Sequence, residues 1–458
     1  MLELYLLRHA KAKREGGELS DAERPLSRRG RRQAAAMAPA LMRWGALEGE
    51  VVSSPARRTR ETLEAMAEAL PENSLKQRLR LDEALYTFDG EALRAWLQAL
   101  PEGSRRVLVV GHNPALLELA RWLSPQAPEA LPTGALLHLS LRGESWRALE
   151  RHAAERLVSL TPEQASHGLF LRRAPVPEPV EKGSGAESLQ GRLDHLYRRV
   201  RALEPGVQAG IDPEFLHQYR VNLRRSRAIG EAVLAAIKVP GLKKRLKRLK
   251  QRAQATSDLR DLDVFLESLV QAPPLLQAST RCALHDWLSE RARDQHERLC
   301  QQLNQPDYAE EMQAWQAFLD GDGIRQALAR LSAVRVEAVL AERIAGHDRD
   351  LAVLTPDAPD EAFHDLRKAV KRIRYLAELA PKRHRRLLKE LKERQSLLGE
   401  FQDLCTRQAW IAAFAAGLDG SPRRWQECDA WCRELEAQKR ALREQIMALV
   451  PLAGPASG

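Results

Sequence analysis

The chain has 458 residues, 44% of them hydrophobic and 5% aromatic, and a formal net charge of +10. That length suits two or three domains. No run of 18 apolar residues occurs, and no cationic start leads into a long apolar core, so neither a transmembrane helix nor a signal peptide is expected. Five cysteines, Cys282, Cys300, Cys405, Cys428 and Cys432, lie scattered in the second half. An odd, dispersed set points to reduced thiols and a cytoplasmic protein.

From the N-terminus, short apolar runs alternate with helical patterns, which predicts an α/β layer fold over residues 1–160. Strands are expected at 2–8, 50–53, 107–111, 135–141 and 146–150. Helices are expected at about 28–44, 56–69, 89–99 and 114–123. Three of the strands end in residues suited to phosphate. Leu2 to Leu7 delivers Arg8-His9, Val51-Val52 leads to Ser53-Ser54-Pro55-Ala56-Arg57-Arg58, and Val107 to Val110 leads to Gly111-His112-Asn113-Pro114. The carboxyl ends of strands are where an open α/β sheet places its chemistry. A neutral imidazole can attack phosphorus, and arginines can hold the charge that builds on the oxygens. No HExxH, DxDxDG-type or CxxC pattern is present, so neither a metal nor another cofactor is expected.

LRHA, SSPxxR and GHNP, in this order and spacing, resemble the histidine phosphatase superfamily. Arg24-Pro25-Leu26-Ser27-Arg28-Arg29-Gly30 resembles the RPLxxxG segment of its small SixA-like branch. The resemblance implies a phosphohistidine phosphatase in which His9 is the nucleophile and Arg8, Arg58 and His112 bind the phosphoryl group. A general acid is less clearly marked. Glu83 lies between the SSP and GHN motifs, roughly where larger members carry theirs, and a solvated loop carboxylate is the competing reading. A weakly specified acid favours a leaving group that needs little protonation, such as imidazole with its pKa of about 6.5, or a phosphoanhydride.

Ala174-Pro175-Val176-Pro177-Glu178-Pro179, followed by Glu181-Lys182-Gly183-Ser184-Gly185, reads as a linker within 161–189. Beyond it, strand patterns disappear and an all-α domain of two related helical bundles is expected over 190–450, with a tail at 451–458. Residues 1–180 carry 26 Lys and Arg against 23 Asp and Glu; residues 181–458 carry 46 against 39. The positive charge of the second half must therefore be clustered to matter. It is clustered in a repeat, HxxRxxx(R/K)RxR. One copy comprises His217, Arg220, Arg224, Arg225 and Arg227; the other comprises His364, Arg367, Lys371, Arg372 and Arg374, with Lys368 beside them. On a helix, positions 0, 3, 7 and 10 fall within an arc of roughly 80°. Each copy thus presents a basic stripe beside an apolar one: Leu216, Tyr219 and Leu223 in the first, Phe363, Leu366, Val370 and Ile373 in the second. Each copy is followed by a break, a second basic segment and an acidic position, Asp261 or Asp403.

Residues 190–450 resemble the CHAD family, helical domains of two related halves that are associated with inorganic polyphosphate. The resemblance rests on the two HxxR helices, on Leu259-Arg260-Asp261-Leu262-Asp263-Val264, and on Leu397-Leu398-Gly399 with Asp403. It implies that His217, Arg220, Arg224, Arg225, Arg227, His364, Arg367, Lys368, Lys371, Arg372 and Arg374 line a polyphosphate-binding surface, with Asp261 and Asp403 bracing arginines. Nucleic acid is the less favoured partner, since single-strand binders interleave aromatic platforms and the motif helices offer only Tyr219 and Tyr375. No membrane partner is expected. The whole then reads as a metal-independent phosphatase working through phosphohistidine, with phosphohistidine protein as substrate and a helical domain binding polyphosphate. The alternatives are a polyphosphate-hydrolysing enzyme and a scaffold localised on polyphosphate granules.

Overall fold

The computed structural model describes residues 1–14, 20–70, 75–177, 185–271, 276–418 and 421–452. Residues 178–184 of the expected linker and 453–458 of the expected tail lie outside the described residues. The chain forms two compact units: Met1–Ala174 with Pro205–Phe215, and Pro175–Glu204 with Leu216–Gly458. The first part of the expected linker therefore belongs to the first unit, where Pro162–Ala165 and His167–Phe170 form two short helices.

In the first unit, β1 (Leu2–Arg8), β2 (Glu50–Ser53), β3 (Leu79–Leu81), β4 (Arg106–Gly111), β5 (Leu136–Leu141) and β6 (Ala154–Leu160) form one mixed sheet in the order β3-β2-β4-β1-β5-β6. The strands from β3 to β1 run parallel, and β5 and β6 are antiparallel to their neighbours. The helices of this unit are α1 (Arg28–Arg43), α2 (Arg57–Ala69), α3 (Leu75–Arg78), α4 (Gly90–Gln98), α5 (Ala115–Leu123), α6 (Pro162–Ala165) and α7 (His167–Phe170). Alternate side chains of the central strands enter two cores, as the period of two in a strand requires. Leu4, Leu6, Val107 and Val109 pack with α4 and α5. Tyr5, Leu7, Leu108 and Val110 pack with α1 and α2. Covering on both faces explains why these strands read as continuous apolar runs.

The expected strand at 146–150 is absent. Trp146–Ala148 is a 3-10 turn: the Ser145 side chain accepts from the Arg147 amide, and the Trp146 indole donates to the Ser104 carbonyl. Trp146 faces the core from this turn. The strands missed in the sequence, β3 and β6, are the two sheet edges.

The second unit is helical: α8 (Gly185–Ala209), α9 (Glu214–Ala236), α10 (Leu242–Gln254), α11 (Ser257–Gln271), α12 (Ala278–Leu303), α13 (Pro306–Asp320), α14 (Asp322–Ala329), α15 (Ala333–Ala352), α16 (Asp360–Ala377), α17 (Arg385–Ala415) and α18 (Pro422–Met447). The first residues of α9 and the last of α8 belong to the first unit. The two repeat motifs lie on α9 and α16, and their apolar stripes are buried as the spacing predicts. Gly241, at φ +76°, turns the chain from α9 into α10, a conformation glycine reaches without a Cβ penalty. The copies differ afterwards. The first breaks between α10 and α11 at residues 255–256, whereas the matching stretch of the second continues as one 31-residue helix, α17. Among the described residues, no helix is long and apolar enough to cross a membrane.

The RPLxxxG segment has a packing reason. Ser27 caps α1 by accepting from the Gly30 amide and donates to the Lys11 carbonyl, while Leu26 bridges to Ala12. A Cβ on Gly30 would lie 2.2 Å from the Lys11 carbonyl oxygen. Gly30→Ala should therefore push the 9–12 segment aside and destabilise the fold by about 1–3 kcal/mol, the usual cost of overpacking. A urea denaturation midpoint equal to that of the unaltered protein would contradict this.

Candidate functional site

Because β2, β4 and β1 are adjacent and parallel, Ser53-Ser54, His112 and Arg8-His9 leave the sheet side by side. His9 is 9% exposed and His112 is 1% exposed, with ring centres 5.3 Å apart. Nδ1 of His9 meets the Ala10 carbonyl oxygen at 2.8 Å. A carbonyl only accepts, so Nδ1 carries the proton and the neutral ring keeps its lone pair on Nε2. Burial drives the His9 pKa down to about 4, with the charges of Arg58, Arg8 and Arg24 adding to it and the Ala10 hydrogen bond opposing.

Arg58 is 1% exposed. Its Nη1 donates to the Asp21 carbonyl at 2.6 Å; its Nη2 donates to Asp21 Oδ2 at 2.9 Å and to His112 Nδ1 at 3.2 Å. Since guanidinium only donates, His112 Nδ1 accepts, and Nε2–H donates to Ser54 Oγ at 2.8 Å. Burial first, then Arg58, pushes His112 down to about 3. Arg8 Nη1 donates to the Leu131 carbonyl at 2.7 Å. The Nε atoms of Arg8 and Arg58 are buried donors with no acceptor among the described residues. Such donors carry a desolvation cost of about 1–3 kcal/mol each. An arriving oxyanion would remove it.

Sequence reasoning missed Asp21. It sits in a 3-10 turn, accepts from Tyr86 Oη at 2.7 Å and pairs with Arg24 at 2.5 Å. Burial opposes ionisation, but the Tyr86 hydroxyl and the Arg58 and Arg24 charges outweigh it and hold the carboxyl at about 2. Asp21 therefore stays ionised and has no proton to donate near neutral pH. Glu83 is exposed, and its carboxylate makes no hydrogen bond or ion pair among the described residues. From the same segment, Tyr86 and Phe88 reach the site instead, with rings 5.4 and 5.3 Å from His112. Ser54 and Tyr86 belong to stretches the sequence had marked; Asp21, 37 residues from Arg58, carried no signal of its own.

Helix α2 fixes these pieces together. Thr62 Oγ1 accepts from the Ala10 amide at 3.0 Å and donates to the Arg58 carbonyl at 2.6 Å. Glu61 accepts from the Leu26 amide at 2.7 Å and from Arg57 Nε at 2.8 Å, so Arg57 braces the loop rather than the imidazoles. Among the described residues, no group of three or more His, Cys, Asp or Glu is placed to hold a metal ion.

In the second unit, α9 and α16 bring part of both stripes into one cationic field. Burial and the charges of Arg367, Arg224, Arg227 and Arg220 push Lys371 down to about 7. Arg220 is tied down: its Nη1 donates to the Ala253 carbonyl at 3.0 Å and to Thr256 Oγ1 at 2.6 Å, at the α10–α11 break. Arg367, its counterpart, has a buried Nε with no acceptor among the described residues. Arg224 is exposed, and Arg227 pairs with Glu231 at 3.2 Å. Others are engaged elsewhere. Lys368 pairs with Asp365 at 2.8 Å, Arg374 with Glu378 at 2.8 Å, and His364 meets Gln402 at 2.6 Å. His217 is half-buried, while Arg225 and Arg372 are exposed. Asp261 and Asp403 act on Arg220 and Arg367 through their charge but form no ion pair with them among the described residues.

A depressed folded pKa means that His9 takes up its proton only as pH falls through about 4. In the ligand-free protein its ring should stay neutral, protonated at Nδ1, from pH 8 to pH 5. Nitrogen NMR of the imidazole checks this, and an imidazolium signal at pH 6 would refute it.

Comparison with known proteins agrees with this division. The family model for the histidine phosphatase superfamily (branch 1) matches residues 4–106, and that for the CHAD domain matches residues 191–412. An uncharacterised chloroplastic protein of Arabidopsis thaliana is 31% identical over 150 residues, spanning 31% of this chain and 68% of its own. The structure of the protein histidine phosphatase SixA complexed with tungstate is 26% identical, with a TM-score of 0.29, covering 35% of this chain and 97% of that one. The CHAD domain of the plant Ricinus communis is 22% identical, with a TM-score of 0.48, covering 59% of this chain and 93% of that one. The chain therefore belongs to the histidine phosphatase superfamily through its first unit and carries a CHAD domain in its second.

Proposed function

We propose that the first unit is a phosphohistidine phosphatase working through a phosphohistidine on His9, and that the second binds inorganic polyphosphate. One observation carries the first part: a buried, neutral His9 with its lone pair on Nε2, beside the unmatched Nε donors of Arg8 and Arg58. In the first step, Nε2 forms a bond to phosphorus as the P–N bond of the substrate breaks. The electron pair leaves on the substrate imidazole, which departs neutral because its other ring nitrogen already carries a proton. In the second step, water attacks phosphorus, its proton passes to solvent, and the P–Nε2 pair returns to His9 as inorganic phosphate departs. Arg8 and Arg58 supply fixed donors to the equatorial oxygens, where the charge grows, and His112 joins them when its Nε2–H passes from Ser54 Oγ to a phosphoryl oxygen.

The leaving-group argument supports this substrate. Asp21 is ionised, and Glu83 is exposed and unpartnered among the described residues. With no carboxylic acid poised in the site among the described residues, a leaving group of high pKa would depart slowly, whereas imidazole, at about 6.5, needs little help. His9→Ala should abolish phosphate release from a phosphohistidine protein in the presence of a chelator and leave the denaturation midpoint unchanged. Retained turnover in that variant would overturn the assignment. His9-dependent release from polyphosphate, without release from phosphohistidine, would replace it with the anhydride reading.

Polyphosphate binding draws its support from Arg220, Arg224, Arg227, Arg367 and Lys371 sharing one field. Affinity should fall steeply with salt, since phosphate contacts release counterions. Arg224→Ala with Arg367→Ala should weaken binding by about 1.5–3 kcal/mol per residue.

Lys371 adds a pH dependence. Its pKa in the unliganded protein is near 7, and bound phosphate must raise it, so binding takes up a proton. Affinity should therefore drop as pH rises from 6 to 8. Lys371→Arg should remove the part of that slope not due to the terminal phosphates. An identical slope in Lys371→Arg, measured by fluorescence anisotropy with labelled polyphosphate, would place the proton elsewhere.

A further inference from the structure

The corner between α9 and α10, the α13–α14 turn and the start of α15 border a half-open cavity of about 820 Å³, and nothing proposed above uses it. Four cations line it, Lys238, Arg245, Arg330 and Arg335, and no carboxylate does. Lys238, Arg330 and Arg335 are exposed, and none has an ion-pair partner among the described residues. Neighbouring arginines are paired: Arg248 and Arg252 share Glu311, and Arg325 pairs with Asp322. Unpaired like charges around one hollow repel one another, and a polyanion would relieve this.

The floor is different in kind. Ile324 is buried beneath the cavity, and Phe318 is half-buried at its side. The Arg245 guanidinium lies 4.4 Å from the centre of the Phe318 ring, which itself stacks on Trp315 at 5.8 Å and 18°. Arg245 Nη1 donates to the Gly241 carbonyl at 3.2 Å, which fixes the plane of the group. A guanidinium set over an aromatic ring can serve as a platform on which a second planar ring stacks. A chain of phosphates alone would satisfy the cationic rim and leave this apolar, planar floor in water. A ligand with a flat ring at one end and several negative charges at the other would cover both. The volume also falls within the range of roughly 300–1,000 Å³ typical of small-molecule sites.

We propose that this cavity binds a nucleoside polyphosphate, with the base stacked on Arg245 and the phosphates held by Lys238, Arg330 and Arg335. The site is distinct in its residues from the stripes on α9 and α16, and its occupation adds a small-molecule input to a domain read so far only as a polyanion binder.

The test is calorimetric, with adenosine triphosphate, inorganic triphosphate and adenosine as separate probes. It uses the full chain carrying Arg224→Ala and Arg367→Ala, so that the stripe contributes less. Adenosine triphosphate should bind more tightly than either of the other two. Arg330→Ala with Arg335→Ala should weaken it about tenfold or more, as loss of charge-assisted contacts implies. Both residues are exposed, so the fold should be unaffected, and an unchanged thermal midpoint verifies that. Arg245→Lys keeps the charge and loses the plane; it should weaken adenosine triphosphate while leaving inorganic triphosphate unchanged. The proposal is overturned if adenosine triphosphate does not bind, or if Arg330→Ala with Arg335→Ala leaves its affinity unchanged. It is equally overturned if inorganic triphosphate binds as well as the nucleotide and Arg245→Lys affects neither.

Discussion

The first unit is organised around one buried charge. Arg58 cannot lose its proton, and removing its guanidinium from water is costly unless every side of it is answered. Asp21 answers two of its donors and His112 a third. From this follow the tautomer of His112, the ionised state of Asp21 and part of the pressure that keeps His9 neutral. The chain that supplies Asp21 enters the pocket through the same loop whose later residues, Leu26 to Gly30, are anchored on α2 and on Lys11. The position of a loop far away in sequence is thus set by the demand of one side chain for counter-charge.

The second unit handles like charge in the opposite way. There the cations of two helices are placed close together and only partly answered, and Lys371 registers the strain as a proton held loosely near neutrality. Arg220 escapes through a carbonyl and a hydroxyl supplied by a helix break; its counterpart Arg367 lies opposite an unbroken helix that offers no such break. The two copies of the sequence motif therefore differ in structure while keeping the same signature: Arg220 is tethered at a helix break, whereas the Nε of Arg367 meets no acceptor among the described residues.

What could be read from the sequence follows burial. The strands β1, β2 and β4 are covered on both faces and show as apolar runs, so the three motifs at their ends were placed correctly. The edge strands β3 and β6 are half solvated, and their composition resembles loop. The turn at Trp146–Ala148 misled for the converse reason, since Trp146 is buried without being extended. Both stripes of the second half were visible because helical periodicity repeats every few residues. Their convergence, and the tethering of Arg220 by Thr256, depend on how separate helices pack, which no local pattern encodes. Asp21 escaped notice because a single carboxylate in a loop looks like any other. Glu83 drew attention through its position between motifs, whereas the residues from that segment which reach the pocket are Tyr86 and Phe88.

The hydrogen bond from His9 to the carbonyl of Ala10 has a consequence for how this site can change over time. Many catalytic histidines owe their tautomer to a carboxylate on another element, and one codon change removes it. Here the acceptor is main chain, contributed by the very next residue. No substitution can delete that oxygen. Drift can alter the walls, the loop and the arginines, but the orientation of the imidazole is inherited with the strand end itself, and it is lost only when the backbone there is moved.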